Sequence, residues 1–327
     1  MINVYHDTGG WIVPADEIAK GTWIHVEAPT AEEIERLHQK LGVPMNFLKA
    51  ATDPREVART DSQKNVHLII VRTPYDFGEE GPTPFRTLPL ALIILPDYFI
   101  TICHKPIDFV RDLNYIYDEL DLTTHRSSQM IIAILGVVGD WFLLYLEEID
   151  KRLEDVEQRL RDSIENSEML EVLRYEKSLV YMKTGLQWND QMVEHLQGKD
   201  YFGWNKEDQG MFEDVQVEYR QGYYMAETML TMLGATTDAY ASLISNNLNV
   251  VMKFLAAITI VLTVPMIIFS FYGINVALPG EDVPSMYLVV ILVSLALTLV
   301  VAWWFRRRGW MSADGRRAGR GHTHRQR

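Results

Sequence analysis

The chain has 327 residues, enough for two ordinary domains or for one domain and a membrane anchor. Its formal net charge of -13 disfavours a nucleic-acid partner, since neutralising phosphate needs Lys and Arg. The single cysteine, Cys103, excludes an intrachain disulfide and a zinc site built of cysteines, and it suits a reducing compartment.

The charged fraction of 23% and the mean hydropathy of -0.06 resemble those of a soluble protein. That average conceals a split: nearly all charge lies before about Lys253 or after Phe305. The N-terminus, MINVYHDTGGWIV, lacks the basic-then-apolar pattern of a secretory signal, so the first domain is expected in the cytoplasm.

Residues 1–125 read as an α+β domain. Short apolar or alternating runs predict strands at Ile2–Tyr5, Trp11–Val13, Trp23–Val26, Val66–Arg72, Leu88–Leu95 and Tyr98–His104. Thr30 followed by Glu33 is a capping-box signature, and Ile34, Leu37 and Leu41 form the apolar face of the helix it starts. Pro44 opens a further short helix, and DFGEEGPTP is a turn between two strands.

Residues 126–252 change to long helices, a stalk. Leu146, Ile149, Leu153, Val156 and Leu160 alternate spacings of three and four, which is a coiled-coil seam. A second helix is expected from about Ser167 to Gln197, ended by GKDYFGWN. The third is expected from about Lys206 to Tyr272, with no proline before Pro265. It would be roughly 100 Å long at 1.5 Å per residue and would enter the membrane without a linker.

Residues 253–305 form a transmembrane domain. FLAAITIVLTVPMIIFSFY and MYLVVILVSLALTLVVAWWF, about 254–274 and 286–305, each supply the roughly 20 uncharged residues that cross about 30 Å of hydrocarbon. Lys253 precedes the first span and Arg306, Arg307 and Arg308 follow the second, whereas the loop 275–285 has no Lys or Arg. The positive-inside rule then puts both termini in the cytoplasm and the loop outside, with Glu281 and Asp282 in it. Residues 306–327 are a basic cytoplasmic tail carrying His322 and His324.

Thr259, Thr263 and Ser270 fall within about 40° of one another round the first span, with Asn249, Met252, Ala256 and Met266 on or beside that face. Such a stripe serves either as ordinary glue between membrane helices or as the lining of a pore. Two spans from one chain cannot enclose a conduit, so a pore requires several copies.

At Tyr272-Gly273-Ile274-Asn275 the chain resembles the CorA family of magnesium and divalent-cation transporters, whose signature is Tyr-Gly-Met-Asn at the outer end of the first of two C-terminal spans. Asn249-Val250-Val251-Met252-Lys253 is similar to the family's Asn-x-Val-Met-Lys at the inner end of the pore. The order of α/β domain, helical stalk and two spans matches over nearly the whole chain. The signature's Met is Ile274 here, a Gly-Ile-Asn variant of the wider Gly-x-Asn superfamily, which includes a zinc-transporting branch.

The resemblance implies a funnel-shaped homopentamer in the cell membrane that takes up Mg²⁺, with Co²⁺ or Ni²⁺ as further cargo. It implies a ring of Asn275 amides with Gly273 and Ile274 carbonyls at the mouth. Met252 and Leu255 form an apolar constriction, Thr259, Thr263, Met266 and Ser270 line the path, and Asn249 forms an inner ring. It also implies inhibition by intracellular Mg²⁺ at interface carboxylates, for which Asp214 and Asp53 are the candidates. No resident cofactor is expected. The alternatives are a Zn²⁺ transporter on the same scaffold, perhaps proton-coupled, and a membrane-anchored coiled-coil scaffold that conducts nothing. The sequence has no Gly-rich phosphate loop, nucleophile elbow or paired-carboxylate constellation, so an enzyme is not expected.

Overall fold

The computed structural model describes residues 1–7, 12–79, 81–107, 112–113, 126–162, 166–199, 202–274 and 284–311. They divide into two units, Met1–Leu233 and Gly234–Arg327.

The first unit is built on a seven-stranded sheet of order β2-β1-β3-β7-β6-β5-β4. Its strands are β1 (Ile2–Asp7), β2 (Ile12–Pro14), β3 (Trp23–Glu27), β4 (Arg59–Gln63), β5 (Val66–Asp76), β6 (Phe85–Ile94) and β7 (Phe99–Cys103). All neighbouring pairs are antiparallel except β3 and β7, which run parallel in the register His25↔Thr101 and Glu27↔Cys103. β4, with the sequence RTDSQ, is the strand that the hydrophobic pattern did not predict.

Helix α1 (Ala31–Leu41) starts at the expected capping box, since Thr30 Oγ1 accepts from Glu33 N and Glu33 Oε2 accepts from Thr30 N. It ends at Gly42, whose φ of 71° is left-handed and suits a residue without Cβ. Helix α2 (Met45–Thr52) follows Pro44. Leu37, Phe47 and Leu48 from these helices close a core with Ile24, Val26, Leu68, Ile70, Ala91, Ile93, Ile100 and Ile102 of the sheet.

Helices α3 (Ser127–Asp162) and α4 (Asn166–Gln197) pack on each other and on β5 and β6. Every residue of the heptad seam, Leu146 to Leu160, is buried, so burial of an apolar stripe stabilises this pair. Between them, Asn189 of α4 completes the sheet. Beyond Ile70, the partner of Arg59 at the start of β4, Arg72 N donates to Asn189 Oδ1 (2.8 Å) and Asn189 Nδ2 donates to Arg72 O (2.7 Å). The amide thus takes the ladder position that β4 leaves open.

Helix α5 runs from Lys206 to Tyr272 as expected, with Pro265 inside it, and α6 spans Met286–Arg307. Among the described residues, three helices are able by length and apolar composition to cross a membrane. Burial separates them: the apolar window of α3 is 61% buried within the chain, against 6% for α5 and 11% for α6. α3 therefore satisfies its apolar surface inside the first unit, and the surfaces of α5 and α6 need lipid or further copies of the chain.

Candidate functional site in the first membrane span

The second unit contains the span of α5. Residues 254–272 carry no charged side chain and lie within one helix, the form that pairs backbone groups internally as a lipid environment requires. Pro265 has no N–H, so it removes the donor that would serve Val261 O without ending the helix.

The span has two different sides. Ala257 is fully buried, and Val261, Val264, Pro265 and Ile268 are partly covered. At 100° per residue these lie roughly opposite Thr259, Thr263 and Ser270. On the stripe side Met252, Leu255, Thr259, Met266 and Ser270 are exposed, Asn249 is exposed at its inner end, and Thr263 is half-buried. Thr259 Oγ1 donates to Leu255 O (2.9 Å) and Thr263 Oγ1 donates to Thr259 O (2.7 Å). The buried residues of α6 include Val290 and Ser294.

At the outer end Gly273 N donates to Phe269 O (2.9 Å) and Ser270 O (3.3 Å), closing the last turn of α5. A Cβ on Gly273 would stand 3.2 Å from Phe269 O, which makes this a tight place for any other residue. Tyr272 and Ile274 are exposed. Asn275, Glu281 and Asp282 lie outside the described residues, as does the tail beyond 311. At the other end of the membrane domain, Arg307 lies over Trp303 and Arg308 over Trp304, with the guanidinium carbon of Arg308 4.4 Å from the ring centroid. Such pairs of aromatic ring and cation suit the headgroup level of a membrane.

Among the described residues, the two acids expected to sense metal belong to no three-residue ligand group within one chain. Asp53 is the C-cap of α2, and its Oδ1 accepts from Arg55 N (2.9 Å), a local turn bond. Asp214 is exposed on α5. One turn on, Glu218 is the acid that spacing missed. Its carboxyl is pushed up to about 7 by burial first, then by the charges of Asp140 and Asp214. Asp140 on α3 is raised in turn by burial and by Asp112, whose Oδ2 accepts from Trp141 Nε1 (2.8 Å). The signal for Glu218 in the sequence is only its i+4 relation to Asp214; Asp140 comes from another helix.

Cys103 is buried, and burial pushes its thiol up to about 12, so it is a neutral thiol at physiological pH.

Comparison with known proteins sets these features in a family. The chain is 26% identical over 293 residues to the cobalt/magnesium transport protein CorA of Methanocaldococcus jannaschii, covering 88% of this chain and 91% of that one. Its fold matches the complete structure of the CorA magnesium transporter from the same organism with a TM-score of 0.83 at 24% identity, over 95% of this chain and 98% of the other. The ZntB cytoplasmic domain of Vibrio parahaemolyticus matches with a TM-score of 0.59 at 12% identity, over 75% of this chain and 98% of that one, a likeness of fold alone. The model of the family described as CorA-like Mg²⁺ transporter protein matches residues 19–307, from just before β3 to the last residue of α6. A mixed sheet, a helical stalk, and two apolar helices closed by basic residues are thus accounted for together, and the chain belongs to the CorA-like Mg²⁺ transporter family.

Proposed function

We propose that this chain conducts divalent cations, Mg²⁺ foremost, into the cell through a homopentameric pore lined by the first span. The observation that carries the reading is the two-sidedness of that span: its polar stripe lies roughly opposite its covered side. Polar groups facing hydrocarbon are costly, so the stripe calls for an aqueous axis shared with other copies.

In this reading both termini are cytoplasmic and residues 275–285 form the outer loop. Asn275 amides, with the Gly273 and Ile274 carbonyls and Tyr272 beside them, hold the ion at the mouth through its water shell. Mg²⁺ sheds water reluctantly, and neutral oxygens bind it without trapping it. Glu281 and Asp282 raise the cation concentration outside. Thr259, Thr263, Met266 and Ser270 line the path, Met252 and Leu255 form a constriction that opens and closes by wetting, and Asn249 forms the inner ring. The membrane potential supplies about 4.6 kcal/mol for two charges per 100 mV. Intracellular Mg²⁺ acts on Asp214, with Asp53 as its candidate partner in another copy.

The test is flux into liposomes holding the purified chain, comparing Mg²⁺, Co²⁺ and Zn²⁺ with and without a pH gradient. Mg²⁺ entry without a pH gradient is expected. Zn²⁺ entry that requires protons, without Mg²⁺ entry, would replace this reading with a zinc transporter. No flux of any ion would leave a membrane-anchored scaffold.

A further inference from the structure

The parallel pair β3 and β7 brings together three side chains that the sequence keeps far apart. Register sets Glu27 opposite Cys103 and His25 opposite Thr101. Because side chains alternate along a strand, these four share one face, while Ile24, Val26, Ile100 and Ile102 point the other way into the apolar core. One ligand atom from each of His25, Glu27 and Cys103 lies within 4.8 Å of the other two, and His25 Nε2 is 3.4 Å from Glu27 Oε1. No other such group of His, Cys, Asp and Glu occurs among the described residues.

The surroundings hold these atoms in place. His25 Nδ1 lies 2.8 Å from Thr101 Oγ1, which also accepts from Trp23 Nε1 (2.8 Å), so the ring is turned with Nε2 towards the carboxylate. An imidazole whose far nitrogen is tied to a neighbouring polar group is the usual support of a metal-bound histidine. Glu27 Oε1 accepts from Ile107 N (3.2 Å). His25 and Cys103 are buried, whereas the Glu27 side chain keeps 21% of its surface, which leaves one side from which an ion can enter.

We propose that His25, Glu27 and Cys103 form a binding site for a borderline-soft divalent ion, Zn²⁺ or Co²⁺, across the β3–β7 pair. Nitrogen, sulfur and carboxylate oxygen are the donor set of zinc, and three of them leave a fourth position for water. Mg²⁺, which takes oxygen ligands in an octahedron, is excluded by the sulfur and by the ligand number. Bonds of about 2.0–2.3 Å in a tetrahedron bring ligand atoms to roughly 3.5 Å of one another, so the site closes by about 1 Å on binding. The thiol gives up its proton to the solvent as the metal–sulfur bond forms. This departs from the expectation of no bound cofactor, and it does not depend on the pore reading.

The test uses Co²⁺ added to the purified full-length chain in detergent. The chain has one cysteine, so a thiolate-to-Co²⁺ charge-transfer band in the near ultraviolet reports Cys103 alone. One such Co²⁺ per chain is expected, displaced by Zn²⁺ and unmoved by a large excess of Mg²⁺. Cys103→Ala is expected to abolish the band. Glu27→Gln, at a partly exposed position, is expected to weaken Co²⁺ binding about tenfold or more without changing the metal-free circular dichroism, and it keeps the test open should Cys103→Ala fail to fold. A folded chain that gives no sulfur band, or a band of unchanged affinity in Glu27→Gln, overturns the proposal. Binding without a sulfur band, as at His322 and His324 in the tail, counts against it equally.

Discussion

Glu218 on α5 lies directly against Gly139 on α3: a Cβ at position 139 would fall 2.6 Å from Glu218 Oε2. That oxygen is buried and has no hydrogen-bond partner among the described residues. The glycine therefore admits a carboxyl group to a seam where Asp140 and Asp214 already place negative charge.

Stability should follow the protonation of this group. Its folded-state value of about 7 exceeds the ordinary 4.5, so the protonated form favours the folded state. That contribution is complete below the unfolded value and is lost as pH rises from about 4.5 through 7. Glu218→Gln should raise the melting temperature at pH 8 and flatten its dependence on pH. The gain is about 1–2 kcal/mol once solvent screening of a half-exposed group is allowed for. Melting curves at pH 5, 6, 7 and 8 measure it, and an unchanged slope in the variant would assign the pH dependence to other groups.

Gly185 of α4 is a second close approach. A Cβ there would stand 2.9 Å from Thr87 Cγ2 and 3.2 Å from Phe142 Cζ, both on buried residues. Gly185→Ala should cost about 1–3 kcal/mol through overpacking, despite alanine's better helix propensity. Gly234→Ala is the matched control, since a Cβ there meets nothing within 4 Å, and it should be neutral or slightly stabilising. Thermal denaturation of the pair, monitored by circular dichroism, decides between these outcomes.

Replacing Asn189 by Leu removes both bonds to the Arg72 backbone and leaves a buried N–H and C=O unpaired. The expected loss is about 2–4 kcal/mol. Hydrogen exchange at the Arg72 amide should accelerate more than exchange in β7, which does not depend on this contact.

In the transport reading, Asn275→Ala should remove metal uptake while assembly, measured by size-exclusion chromatography with light scattering, stays intact. Undiminished uptake would refute the mouth assignment. Asp214→Lys should weaken inhibition by intracellular Mg²⁺, and an unaltered inhibition curve would remove that residue from the sensor.

Much of the architecture was legible because local signals agreed with the fold. Thr30 and Glu33 mark a helix start, and the proline-free run from Lys206 to Pro265 marks a long helix. β4 escaped because RTDSQ carries no apolar alternation; it forms as an edge strand on β5, so its cause lies in its neighbour. Glu218, Asp140 and Asp112 escaped for a similar reason. Their mutual influence depends on how helices pack, which spacing along one chain does not encode. His25, Glu27 and Cys103 meet only because β3 pairs in parallel with a strand over seventy residues later.

The hydroxyls of Thr259 and Thr263 turn their protons inward, onto the carbonyls of Leu255 and Thr259. What they offer outward is lone pairs. Water around a cation points its hydrogens away from the ion, so in the pore reading a hydrated cation meets acceptors at these two positions. Water around an anion does the reverse and finds few donors to welcome it. In the pore reading, two backbone-directed bonds, each an ordinary local event in a helix, thus favour positive over negative charge along the path behind the outer mouth.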